Sequence, residues 1–240
     1  MKSQILEEKM IKYKDLLSVP VRDNNDPLII ISPNCLPNGY VKPFIDMKLF
    51  TKGKILVRRT VFEKLKKVNR KLRDNYPSLS IYITYGFRTY RLQKIYFQKE
   101  LKRSISKYYF YDPIALYEEV HRSIAVPEVA GHPTGGAVDI IIINKKNNSQ
   151  LDFGSNLYDF STKKRYTFWP DLSSEAKKNR FLIRSLMMNE GFAPFDGEWW
   201  HFSYGDKEWA AYYKKKWAIY DQIRFFNKQS FPNGGRFSID

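Results

Sequence analysis

Residues 137–143 read Ala-Val-Asp-Ile-Ile-Ile-Ile, a nearly continuous apolar run with a carboxylate inside it. The run is too short for a typical helix and rich in β-branched residues, so it predicts a central strand buried on both faces. A carboxylate in such a strand is costly unless it is paired or bound to a cation. Asp139 therefore needs a partner, and the fold has to bring one to it.

The chain offers that partner seven residues earlier. His132 stands in Gly131-His132-Pro133-Thr134-Gly135-Gly136, and the glycines let this loop fold back to bring an imidazole near the carboxylate. Only three histidines are present, and His201 lies in Glu198-Trp199-Trp200-His201, with a carboxylate and an imidazole three residues apart among large rings. Two His and one Asp suit a catalytic zinc, which uses three protein ligands and leaves a position for water, whose pKa drops from about 15.7 to near 7.

Glu198 is then the expected general acid/base. On a flat strand, residues three apart point to opposite faces, so Glu198 and His201 converge only if the backbone turns between them. The paired tryptophans are expected to wall the site. In a dry pocket a Glu carboxylate holds a raised pKa, takes a proton from the attacking water and passes it to the leaving amine.

The rest of the chain reads as alternating strands and helices. Leu28 to Ile31 predicts a short strand ending in Ser32-Pro33-Asn34, and Leu79 to Tyr85 a second, which leaves Arg88 just past its end. From Thr60 to Asn75 the apolar Val61, Leu65, Val68 and Leu72 recur at helical spacing, giving one stripe to pack on a sheet. Helices are expected over 90–110, over 113–123 with Asp112 as N-cap and Pro113 in first position, over 173–189 up to Gly191, and over 206–219. His121 closes one of them, where a helix dipole favours a cation. Cys35, the lone cysteine, reads as an inert buried thiol.

The segment Ala130-Gly131-His132-Pro133-Thr134-Gly135-Gly136-Ala137-Val138-Asp139 resembles the SxHxxGxAxD zinc motif of the D-alanyl-D-alanine dipeptidases, the VanX-like enzymes. Glu198-Trp199-Trp200-His201-Phe202 resembles their EWWHF motif, and Tyr85-Gly86-Phe87-Arg88 their GYR segment. The resemblance covers roughly residues 55 to 220. It implies His132, Asp139 and His201 as ligands of one zinc per chain, Glu198 as the acid/base, and Arg88 as the cation stabilising the tetrahedral transition state, a role that suits an arginine at a strand end. It also implies an α+β fold, a small antiparallel sheet flanked by helices with the zinc site at the sheet. Ala130 departs from the family, standing where the motif has Ser.

The expected activity is zinc-dependent hydrolysis of the D-alanyl-D-alanine dipeptide to two D-alanines. The alternative is a zinc D,D-carboxypeptidase or peptidoglycan endopeptidase acting on longer cell-wall peptides. A net charge of +16 would also favour an anionic partner. However, the basic clusters Lys66-Lys67, Lys163-Lys164-Arg165 and Lys214-Lys215-Lys216 are short and scattered, and read as solvated faces. No aromatic-basic RNA-binding motif, zinc finger or basic helix-turn-helix signature stands out, so no nucleic-acid partner is expected.

One cysteine precludes an intrachain disulfide, and the charged start MKSQILEEKMIKYKDLL has no apolar segment like a secretory signal, which points to the cytoplasm. No run approaches the roughly 18–20 apolar residues of a membrane span. Residues 1–220 are expected to form one domain and 221–240 an extension or tail.

Overall fold

The computed structural model describes residues 2–42, 44, 46–107 and 112–224. Two short helices, α1 (Lys2–Glu8) and α2 (Tyr13–Leu17), lead into β1 (Leu28–Ile30), α3 (Met47–Phe50) and β2 (Leu56–Arg58). Next come α4 (Arg59–Asn75), β3 (Leu79–Tyr85), α5 (Tyr90–Lys107) and α6 (Pro113–His121). Two 3₁₀ turns precede β4 (Ala137–Asn144) and β5 (Ser149–Gln150), and the chain continues through α7 (Ser174–Asn189), β6 (Ala193–Pro194), β7 (His201–Ser203) and α8 (Lys207–Tyr212).

The main sheet runs β3-β4-β7-β6 with β5 attached to β4, every pairing antiparallel, and β1 with β2 forms a separate two-stranded ribbon. This is the expected α+β arrangement, with the apolar run at the centre. Side chains alternate along β4, so Val138, Ile140 and Ile142 meet the α4 stripe of Val61, Leu65, Val68 and Leu72 in one core, while Asp139 takes the opposite face. Ile183 and Met187 of α7 complete that core. Each Leu or Ile buried there contributes about 1.5–3 kcal/mol relative to exposure, which is what obliges the β4 register and fixes where Asp139 faces.

The caps follow the sequence. Asp112 accepts from the Ile114 N–H at 2.9 Å with Pro113 in the first turn, and Ser173 Oγ accepts from Ala176 N–H at 3.0 Å. Gly191, at φ 81, carries the chain out of α7. The N-terminal α2 is tied to α6 because the Glu118 carboxylate accepts the backbone N–H groups of Tyr13 and Lys14 at 2.9 and 3.0 Å.

Two expectations are corrected. The helix expected over 206–219 stops at Tyr212: Lys214 turns at φ 51, and Ala218 leaves to pair with the N-terminal segment, donating to Pro20 O at 2.9 Å and accepting from Arg22 at 2.8 Å. Cys35 is exposed rather than buried, since it sits in the turn after β1 with its neighbour Leu36 taking the core position. The extension also begins as packed chain, with Ile223 N–H donating to Pro133 O at 2.9 Å. The tail beyond, 225–240, and the end of the helix expected over 90–110 lie outside the described residues.

Candidate active site

Asp139 and His201 are paired residues on neighbouring strands, and opposite residues of an antiparallel pair share a face. Asp139 Oδ1 lies 2.9 Å from His201 Nδ1. The backbone turn required between Glu198 and His201 is present: His201 N–H donates to Glu198 O at 3.1 Å, and β7 begins only at His201. On the other side of β4, a bulge at Thr84 of β3 gives Thr84 Oγ1 a hydrogen bond to Asp139 O at 3.1 Å.

His132 arrives from a 3₁₀ turn closed by Gly135 at φ 75. The loop runs so close to the α8 cap that a Cβ at Gly131 would collide with the Asp206 carboxylate. His132 Nδ1 is 2.8 Å from Gly86 O; a carbonyl only accepts, so the ring proton sits on Nδ1 and the Nε2 lone pair faces Asp139 Oδ1, 3.5 Å away. One donor atom from each of His132, Asp139 and His201 lies within 4.8 Å of the others. The sequence's three candidate ligands are thus brought together.

The electrostatics suit a cation. Burial raises the Asp139 carboxyl, but His132 and His201 outweigh it and hold the group well below the usual carboxylate range. Burial pushes His132 down to about 4, so it stays neutral with a free lone pair. Burial also disfavours charge on His201, yet the Asp139 hydrogen bond and charge raise it to about 9. Two imidazole nitrogens and an ionised carboxylate form the N,N,O donor set of a catalytic zinc, and a divalent cation displaces the His201 proton when it binds. His201 Nε2, on the far edge of the ring, faces Glu208 Oε2 at 3.8 Å, the kind of outer carboxylate that orients a ligand imidazole.

Glu198 is 9% exposed and its carboxylate has no hydrogen-bond partner among the described residues. Burial pushes it up to about 7, against the opposing pull of His201 and Arg165. Trp199 and Trp200 do not wall the site as expected: both are buried in the main core behind it, Trp199 stacked on Phe153 at 4.1 Å and donating to Ser155 Oγ at 3.0 Å.

Arg88 is likewise inside, whereas its sequence neighbour Arg91 is exposed. Its Nε donates to Tyr85 Oη at 3.2 Å and its Nη1 to Gln93 Oε1 at 2.8 Å, and its backbone N–H holds His132 O at 3.2 Å. Burial opposes its charge, but Tyr85 and Asp139 keep it raised.

Arg88, His132, Asp139, Glu198 and His201 line one cavity of about 60 Å³, with Ala130, Tyr158, Phe160 and Glu208 also on its wall. At roughly 10–15 Å³ per water, this is space for a handful of waters.

His121 and Arg165 depart from the sequence reading. His121 is 8% exposed with Nδ1 accepting Val126 N–H at 3.2 Å, and burial drives it down to about 4, so it is a neutral cavity-wall residue and not a dipole-stabilised cation. Arg165, in a cluster assigned to a solvated face, is 4% exposed, while Lys163 and Lys164 beside it are exposed. Tyr158, at φ 60, sets its phenol 2.9 Å from Thr84 Oγ1 near Asp139, and Glu208 reaches the cavity from α8. Neither of these carries a motif. The signal for Glu208 is a carboxylate in the first turn of a helix whose next residue, Trp209, is apolar and buried.

With this geometry in hand, comparison with known proteins is informative. The profile of the peptidase M15 family, described as D-ala-D-ala dipeptidase, matches residues 44–223. A D-alanyl-D-alanine dipeptidase of Synechocystis sp. is 22% identical over 239 residues, covering 90% of this chain and 96% of that protein. One of Enterococcus faecium is 25% identical over 53% of this chain and 63% of its own length. Among solved structures, a vancomycin-resistance D,D-pentapeptidase in complex with Zn(II) superposes with a TM-score of 0.41 at 14% identity, covering 82% of this chain and 94% of that one.

Proposed function

The chain belongs to the D-ala-D-ala dipeptidase family of zinc metallopeptidases, and from that premise we propose that it hydrolyses the free D-alanyl-D-alanine dipeptide at the cavity beside Asp139. In this reading His132, Asp139 and His201 hold the zinc. The metal, when bound, polarises the scissile carbonyl and makes a water acidic enough to lose its proton near neutrality.

Glu198 receives that proton. Its carboxyl, pushed by burial to about 7, is poised to accept it and then release it to the leaving amine at neutral pH. Arg88, fixed by Tyr85 and Gln93, supplies a preorganised positive charge for the oxygen that becomes negative in the tetrahedral transition state. Tyr158, Phe160 and Phe195 on the cavity wall keep bulk water from the base, with Trp200 packed against Tyr158 and Phe160.

The observation that carries this reading is the unpartnered Glu198 carboxylate on the same 60 Å³ cavity as the His132, Asp139 and His201 donors. We assign the activity to one domain over residues 1–220 and to the cytoplasm; among the described residues no helix is long and apolar enough to cross a membrane.

A second reading, a zinc D,D-carboxypeptidase acting on longer cell-wall peptides, is favoured by one observation. Among the described residues, Glu208, which faces His201, is the one carboxylate on the cavity wall besides Asp139 and Glu198, and no further acid there is free to receive the ammonium of a dipeptide. Release of alanine from D-Ala-D-Ala and from N-acetyl-D-Ala-D-Ala by zinc-loaded protein separates the two. Preference for the free dipeptide supports the first, and activity confined to the acylated compound overturns it in favour of the second.

A further inference from the structure

Arg165 ties together two segments that border the cavity, that of Arg122 and Ser123 and that of Gly197 and Trp199. Its Nη1 donates to Gly197 O at 2.7 Å and to Arg122 O at 3.1 Å, and its Nη2 to Ser123 Oγ at 3.1 Å. Its own carbonyl accepts Trp199 N–H at 3.1 Å, and two residues on, Thr167 N–H donates to Asp196 O at 2.9 Å. The residues on either side of Glu198, Gly197 and Trp199, are thus both bound by one residue, the first through its side chain and the second through its backbone.

The energetics of the position call for an explanation. Arg165 is 4% exposed, and no carboxylate lies within ion-pair distance of it among the described residues. A guanidinium does not shed its charge, and a buried charge without a counter-ion is destabilising. Its Nε–H is also buried without a hydrogen-bond partner. The rings of Tyr166 and Phe160, at 4.9 and 5.6 Å, offset part of that cost. A neutral residue would fill the space more cheaply, so the cation and its fork of donors have a use at this point in the fold.

We propose that Arg165 is a positioning residue for Glu198, clamping the chain before and after the base and placing a fixed positive charge behind it. The guanidinium sets where the Glu198 backbone sits, the ring contacts hold the guanidinium, and the Arg122 and Ser123 bonds anchor the assembly to the segment after α6. The inference rests on the reading of Glu198 as the acid/base. It concerns a residue outside every motif of the chain.

The test compares zinc-loaded wild type with Arg165→Lys and Arg165→Met, on whichever of D-Ala-D-Ala and its N-acetyl derivative the wild type cleaves. A base displaced by about 1 Å costs roughly 100-fold, so kcat is expected to fall about 100-fold in Arg165→Met and about tenfold in Arg165→Lys. KM and zinc affinity, read by chelator competition, should stay within about twofold. Wild-type kcat in either folded variant, or a loss of zinc affinity parallel to the loss of kcat, overturns the proposal. If Arg165→Met does not fold, the Lys variant decides by the same criteria.

Crystal structures of wild type and Arg165→Lys give a readout that does not depend on activity. The Gly197 carbonyl and Glu198 carboxylate are expected to move by more than about 0.5 Å, the tolerance of a catalytic group, while His132, Asp139 and His201 stay in place. An unmoved Glu198 contradicts the clamp. An inactive wild type with a displaced Glu198 in the variant instead contradicts the assigned reaction and leaves the clamp standing.

Discussion

Asp139 and His201 face each other directly across β4 and β7, with Asp139 Oδ1 2.9 Å from His201 Nδ1. A one-residue slip of either strand would turn one of the two to the other side of the sheet. The core formed by Val138, Ile140 and Ile142 against α4 therefore secures the proposed metal site as well as the fold.

Replacing Asp139 by Asn keeps the shape and removes the charge. Zinc affinity is expected to fall by more than about 100-fold, the upper range for losing a mere outer-shell partner. Zinc should raise the melting temperature of the wild type but not of the variant. Competition with a chelator, together with thermal unfolding with and without zinc, measures both; unaltered affinity in Asp139→Asn would place the metal elsewhere.

Arg88→Ala is expected to lower kcat by about 10²–10³, or about 2.7–4 kcal/mol of transition-state stabilisation, as for loss of one oxyanion donor. Arg88→Lys should not restore it, because a single ammonium nitrogen cannot stand at both the Nε and Nη1 positions that bond Tyr85 and Gln93. Steady-state kinetics at saturating zinc reads the effect, and a Lys variant at wild-type kcat argues against a bound, oriented guanidinium.

His121 makes stability depend on pH. Its folded pKa, about 4, lies below the 6.5 of an ordinary imidazole, so the unfolded chain takes up a proton first as pH falls. The buried neutral ring contributes its full share above pH 6.5, and up to about 3 kcal/mol of that is lost as pH drops from 6.5 to 4. Urea unfolding at several pH values should show a flatter profile in His121→Gln than in wild type over that interval. Parallel profiles would mean the imidazole is solvated.

The strands, the long helices and the clustering of His132, Asp139 and His201 were legible because each obeys a short-range rule. A buried carboxylate in β4 needs a partner, the α4 stripe has helical spacing, and Asp112 and Ser173 cap where they should. The early end of α8 was hidden because it is decided by residues far away in sequence, the pairing of Ala218 with Pro20 and Arg22. Arg165 and His121 were misread for the same reason. A cation in a Lys-Lys-Arg run and a histidine at a helix end look solvated until tertiary packing closes over them. Glu208 and Tyr158 reach the cavity through a helix cap and a positive-φ turn, neither of which leaves a periodic mark.

The most direct test of the account is the Glu198→Gln variant, which keeps the size and hydrogen-bonding shape of the side chain and removes its ability to carry a proton. With zinc bound as in wild type, kcat for the D,D-peptide substrate is predicted to fall by about 10²–10⁴-fold, the usual worth of a general acid/base. Zinc occupancy at the wild-type level together with undiminished kcat would contradict it, and would require the proton to be carried by another group on the cavity wall.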